Sequence, residues 1–256
     1  MITKLVITDN KNSSINYISK LENFQNGTEY AFKPGVNIIV GENGCGKTTL
    51  MNLLRDYLLV DYTECYKGDY NSRINRLCRT LNGDRMLDGV EVYADYTKNT
   101  FRLSHSDEKA KYDAIKTFDE FGAFANQSMS STGEGVLISL DYLFNHIFGK
   151  DVKLMFDYNQ FKDDYPSYVD YVEKHRVACD DEWTILMDEP DRNLSITNLE
   201  TIKDILSFHK ENTQVITVIH NPLLIYALSN IEHINFIEMT KNYIENVKKQ
   251  VNNLIR

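Results

Sequence analysis

One stretch limits what this chain can become: Val36 to Leu50, VNIIVGENGCGKTTL. The β-branched run Val36 to Val40 reads as a buried strand, and the apolar-periodic segment Leu50 to Leu59 reads as a helix. Between them lies Gly41-Glu-Asn-Gly-Cys-Gly-Lys47-Thr48, a glycine-rich loop in the strand-to-helix setting that a phosphate cradle requires. Gly41, Gly44 and Gly46 open backbone conformations closed to residues with a Cβ, so successive N–H groups can turn towards one anion. The dipole of the following helix favours the same negative charge. In that geometry Lys47 reaches the β- and γ-phosphates of a nucleotide, and the Thr48 hydroxyl is available to Mg2+. The pattern also arises as an ordinary turn, so support has to come from elsewhere in the chain.

Size and charge narrow the alternatives. A chain of 256 residues buries about 75% of its unfolded surface, enough for one α/β domain with insertions and no staple. Cys45, Cys65, Cys78 and Cys179 form no C-x-x-C pair, which argues against zinc and for a reducing compartment. Cys45 reads as a small loop residue, with oxidation sensitivity as the alternative. MITKLVITDN lacks the basic-then-apolar order of a secretory signal, and no apolar run approaches spanning length, so a soluble, cytoplasmic protein is expected. A net charge of −9 disfavours a broad polyanion-binding surface while leaving room for a local basic patch.

Ahead of the loop, residues 2 to 9 and roughly 17 to 33 alternate apolar and polar side chains, which predicts an antiparallel β segment. After the helix, Tyr57, Tyr62, Tyr66 and Tyr70 read as packing or surface aromatics. Arg73, Arg76 and Arg79 recur at helical spacing, either as a solvated face or as a phosphate-contacting patch for nucleic acid. Val90 to Leu103 reads as a hairpin turning at Lys98-Asn99. Ser131 and Glu134, in Ser130-Ser-Thr-Gly-Glu-Gly135, fit a capping box at a helix start. The same hydroxyl and glycine N–H groups, Gly133 among them, are equally equipped to hold a γ-phosphate. Residues 151 to 182 read as an acidic, tyrosine-rich excursion.

Trp183-Thr-Ile-Leu-Met-Asp188-Glu189-Pro190 is an apolar strand ending in adjacent carboxylates. Asp188 is placed to hold Mg2+ through its water shell, and Glu189 to orient or deprotonate an attacking water. A helix from Ser195 to His209 follows, then a strand from Gln214 to Ile219 ending in His220. There the imidazole is either a structural residue or a γ-phosphate sensor at the edge of an open sheet. A strand from His233 to Glu238 and a helix from Lys241 to Leu254 close the chain.

With GENGCGKTT, SSTGEG, ILMDEP and VIH in that order, the sequence resembles the ATP-binding-cassette ATPases. The resemblance implies an α/β P-loop fold with a mixed sheet, an N-terminal antiparallel segment and a helical signature subdomain. The core would be residues 1–60 and 183–256, and the insertion about 61–182. It implies that Gly41 to Thr49, with Asn43, Cys45 and Thr49, form Walker A around Lys47. Thr48 and Asp188 would bind Mg2+, Glu189 would be the catalytic glutamate and His220 the switch histidine. Ser131, Gly133 and Glu134 would complete the site of a second subunit, giving a homodimer with ATP sandwiched between copies.

Departures shift the resemblance towards a soluble branch. Gln127 is the only glutamine between Lys47 and the signature, Ser195 stands where an aspartate is expected, and a long excursion separates signature from Walker B. These features look like the AAA_15 and AAA_21-type ATPases, the overcoming-lysogenization-defect family and relatives of chromosome-structure ATPases. The expected function is an ATP-hydrolysing switch acting through a separate effector protein or nucleic acid. The alternatives are an energy-supplying subunit of a membrane transporter and a nucleotide-gated scaffold with slow turnover.

Overall fold

Alternate side chains of three apolar strands feed two different cores, which is why their sequences are apolar almost without interruption. The computed structural model describes residues 1–11, 17–58, 89–94, 99–104, 183–192, 194–207 and 212–255. Its strands are β1 (Ile2–Ile7), β2 (Glu29–Ala31), β3 (Gly35–Val40), β4 (Val90–Ala94), β5 (Asn99–Ser104), β6 (Trp183–Asp188), β7 (Thr213–Val218) and β8 (Asn235–Glu238). The helices are α1 (Lys47–Leu58), α2 (Ile196–Leu206), α3 (Pro222–Leu228) and α4 (Tyr243–Ile255). Five strands run parallel in the order β5-β6-β7-β3-β8, and three pair antiparallel as β2-β1-β4.

The period of two along each strand divides the interior. Val36, Ile38 and Val40 of β3, Ile185 and Met187 of β6, and Val215 of β7 pack with the buried residues of α2, α3 and α4. Ile39, Leu186, Ile216 and Val218 point the other way, into a core shared with Leu50, Leu53 and Leu54 of α1 and with Leu5 and Ile7 of β1. A one-residue slip of any of these strands would exchange its two faces.

Buried amides tie the two sheets together. Gln214, fully buried in β7, accepts from Ile2 N at 2.8 Å and donates to Ile2 O at 2.7 Å and Lys33 O at 3.0 Å. Asn37, also fully buried, exchanges hydrogen bonds with Lys33 N and O and accepts from Asn235 at 2.9 Å. Both side chains satisfy backbone groups that would otherwise be stranded in the interior.

Three sequence expectations change. Val90 to Leu103 is not a hairpin, because β4 pairs antiparallel with β1 while β5 pairs parallel with β6 in the other sheet. Alternation records a buried face and carries no partner label, and β1 had a free edge to offer. Residues 17 to 33 contain one short strand; Ile18–Lys20 and Glu22–Phe24 are 3-10 turns. Ile18, Leu21 and Phe24 recur at spacing three, the period that superimposes side chains in a 3-10 turn. The helix after the loop starts at Lys47, not Leu50. Within the span 61–182, β4 and β5 are strands of the two sheets.

Candidate functional site

Parallel strands deliver their C-terminal ends to one edge, and register fixes how those ends line up. Asp188 pairs with Val218, Val218 with Ile39, and Val40 with Glu238. The loops leaving β3, β6 and β7 therefore start in one row. β7 separates β6 from β3, so the acidic loop and the glycine loop lie about 10 Å apart, two strand spacings. Cross-links hold the row: Glu189 N donates to Val218 O at 3.2 Å and Met239 N to Val40 O at 2.8 Å.

A cavity of about 380 Å³ opens on this edge, lined by Asn43, Gly44, Gly46, Lys47, Thr48, Thr49, Glu189 and His220 together with Tyr17 and Leu21. That size suits a small-molecule ligand. Lys47 is 4% exposed, and its ammonium donates to Gly41 O at 2.8 Å and Glu42 O at 2.9 Å. Loop carbonyls thus hold the cation where an anion in the cradle would meet it. Gly41 and Cys45 stand at the base of the loop, with Cys45 among the residues packed against the core below.

The loop is braced from beneath. Tyr30 Oη donates to Asn23 O at 2.5 Å, and Asn23 Nδ2 donates to Cys45 O at 2.9 Å. Burial, then the nearby Cys45, pushes the Tyr30 phenol well above its usual range, so it stays a donor. Gly46 has φ +103°, and a Cβ there would lie 2.5 Å from Phe24 Cε2. Gly46→Ala should therefore destabilise the fold by about 1–3 kcal/mol in chemical denaturation. Gly44→Ala, at φ +81° with open space around it, should cost about 1 kcal/mol from backbone strain alone.

Across the cavity, Glu189 adopts φ +54°, a left-handed conformation costly for a non-glycine residue. The turn it opens is closed by Arg192 N donating to Glu189 O at 3.1 Å. Its carboxylate meets Arg192 Nη1 at 3.0 Å on Oε2 and His220 Nε2 at 3.1 Å on Oε1. The histidine approach is close but not aligned as a hydrogen bond, so Nε2 has no aligned partner among the described residues. An imidazole nitrogen left in that state beside the cavity suits a ligand oxygen.

Asp188 is buried at the end of β6, one residue before Glu189, and does not itself line the cavity. No group of three or more His, Cys, Asp or Glu side chains that could hold a metal occurs among the described residues. Mg2+ bound through one carboxylate, one hydroxyl, phosphate oxygens and water needs no such cage; Asp188 and Thr48 are the carboxylate and hydroxyl that would be asked to supply the protein oxygens. Ser131, Gly133, Glu134 and the Arg73, Arg76 and Arg79 patch lie outside the described residues. Sequence reading missed Tyr17, Leu21, Asp191 and Arg192. An aromatic ahead of a phosphate loop was a signal for the first, whereas the contacts of Asp191 and Arg192 depend on tertiary placement.

No helix among the described residues is long and apolar enough to cross a membrane. No curated protein matches the sequence. Among solved structures, the SMC head domain from Thermotoga maritima aligns at a TM-score of 0.43 and 13% identity, over 88% of this chain and 91% of that one. An ATP-binding cassette of an ABC transporter, in its ADP conformation, aligns at 0.46 and 14%, over 100% and 99%. A family model described as an AAA domain, AAA_23, matches residues 15–255. The chain belongs to this AAA domain family.

Proposed function

We propose that the chain binds ATP with Mg2+ in the cavity and hydrolyses its γ-phosphate, coupling the cycle to pairing with a second copy. The observation that carries this reading is the convergence of Lys47, Glu189 and His220 on one cavity. Loop N–H groups and Lys47 hold the phosphates, and Tyr17 with Leu21 offers an aromatic and an aliphatic face to the base. Thr48 and Asp188 would hold Mg2+, which would neutralise charge on the phosphate oxygens. Glu189 orients a water and takes its proton as the water oxygen attacks the γ-phosphorus and the bond to the β–γ bridging oxygen breaks. His220 carries Nε2 beside Glu189 and the cavity, where it senses the γ-phosphate. Positioning and charge stabilisation are the main sources of rate in such a reaction.

Pairing is supported by Ile196 and Leu223, 74% and 42% exposed, at the starts of α2 and α3 on the side of the sheet where Glu189 and His220 emerge. By resemblance, Ser131, Gly133 and Glu134 of a second copy would close the site. The spelling Gly41-Glu42-Asn43-Gly44 keeps the soluble AAA_15 and AAA_21-type likeness, and with it action through a separate effector. Steady-state phosphate release from Mg–ATP by the purified chain tests the activity, and its absence would reject hydrolysis. Tyr17→Ala should weaken ATP binding about tenfold, the scale of one lost base–aromatic stack, while leaving inorganic triphosphate binding unchanged. Equal losses for both ligands, measured by calorimetry, would remove Tyr17 from the base subsite.

A further inference from the structure

Asp191 has no place in the cycle above, yet it joins the two loops that carry Glu189 and His220. Its side chain is buried at 5% exposure. Oδ2 accepts from His220 N at 2.9 Å and from Asn221 N at 2.5 Å, the two amides that lead into α3. Oδ1 has no hydrogen-bond partner among the described residues. A buried carboxylate with half its acceptor capacity idle is an expensive way to staple a corner, since a neutral amide would serve at lower desolvation cost. What the carboxylate adds is a strong, charge-assisted grip on two N–H groups by one oxygen.

The grip acts across the site. Asp191 lies two residues after Glu189, within the turn that Arg192 N closes onto Glu189 O. The backbone of Glu189 is therefore fixed, and Asp191 fixes the backbone of His220 relative to it. Apart from Asp191, the described hydrogen bond between the ends of β6 and β7 is Glu189 N to Val218 O at 3.2 Å. The Arg192–Glu189 pair restrains the carboxylate only weakly, because Arg192 is 55% exposed and such pairs contribute little.

We infer that Asp191 is a positioning residue: by holding the His220 and Asn221 amides it sets the 3.1 Å approach of the His220 imidazole to Glu189. The inference rests on the reading that Glu189 and His220 act together on the γ-phosphate. A shift of about 1 Å in a reacting group can cost up to a hundredfold in rate, so a modest backbone release is measurable.

The test uses the full chain carrying Asp191→Ala or Asp191→Asn, each alone and combined with His220→Ala. Asp191→Ala should lower kcat about tenfold with KM within about twofold, and Asp191→Asn, which keeps a carbonyl acceptor, should lose only about threefold. In the His220→Ala background neither should lower kcat further. A further loss there, or a KM that rises as much as kcat falls, would overturn the inference. Should Asp191→Ala fail to fold, the Asp191→Asn and His220→Ala cycle is judged by the same criterion. Independently of turnover, the His220 ring signals in the nucleotide-free NMR spectrum, assigned by their loss in His220→Ala, should shift in the Asp191 variants. Unchanged signals would also overturn it. A parental chain that releases no phosphate would instead defeat the proposed hydrolysis, with the ring signals still deciding the role of Asp191.

Discussion

Glu189→Gln is expected to lower ATP turnover by about 10²- to 10³-fold while leaving nucleotide affinity within a few-fold of the parent. General-base contributions are of that size, and glutamine keeps the shape of the side chain while losing the proton acceptor. The carboxylate carries little of the fold, because its partners are the exposed Arg192 and the half-exposed His220. The backbone carries more, since Glu189 is held at φ +54° by hydrogen bonds from its own N–H and to its own carbonyl. Strain of this kind persists where surrounding structure over-determines the conformation, and here it aims the carboxylate at the cavity. With the γ-phosphate uncleaved, an ATP-bound dimer should accumulate, visible by light scattering as a doubling of mass. Single-turnover phosphate release at the parental rate would take Glu189 out of the base role.

Lys47→Ala should abolish most nucleotide binding, with an expected loss of about 10²-fold or more in affinity. The ammonium is buried and already desolvated, so its charge acts on a phosphate with little screening. Ligand linkage supplies a direct measurement: ATP at 100 times its dissociation constant should stabilise the parent by about 2.7 kcal/mol. At the same ATP concentration the variant should gain less than half of that. Its unliganded stability should fall by about 1–3 kcal/mol, because Gly41 O and Glu42 O lose the Lys47 donor. Equal ATP-induced stabilisation of both proteins would show that the nucleotide binds elsewhere.

The glycine loop, the strand before it and the acidic pair after β6 were legible in the sequence because each is a local pattern. Gly44 and Gly46 advertise positive φ, and the runs Val36 to Val40 and Thr184 to Met187 advertise burial on both faces. Ser195 declared the start of α2, where it accepts from Asn198 N. Helix α3 was announced only by Asn221-Pro222, a cap followed by a residue suited to the first helical position, and was passed over. The partners of β4 and β5 were not legible, since alternation identifies a face without identifying a neighbour.

The sequence by itself determined the chemical inventory of the site: a phosphate loop, a lysine, a hydroxyl, two carboxylates and an imidazole, each at the end of a strand or the start of a helix. Only the tertiary structure decided that β7 lies between β6 and β3, and so that His220 stands between the acidic turn and the loop. It also decided that Asp191 and Arg192 reach His220 and Glu189. The physical reason is one of range. Backbone conformation and burial are set by neighbours within a few residues, whereas strand order and register come from closing two cores at once, a condition no single segment contains.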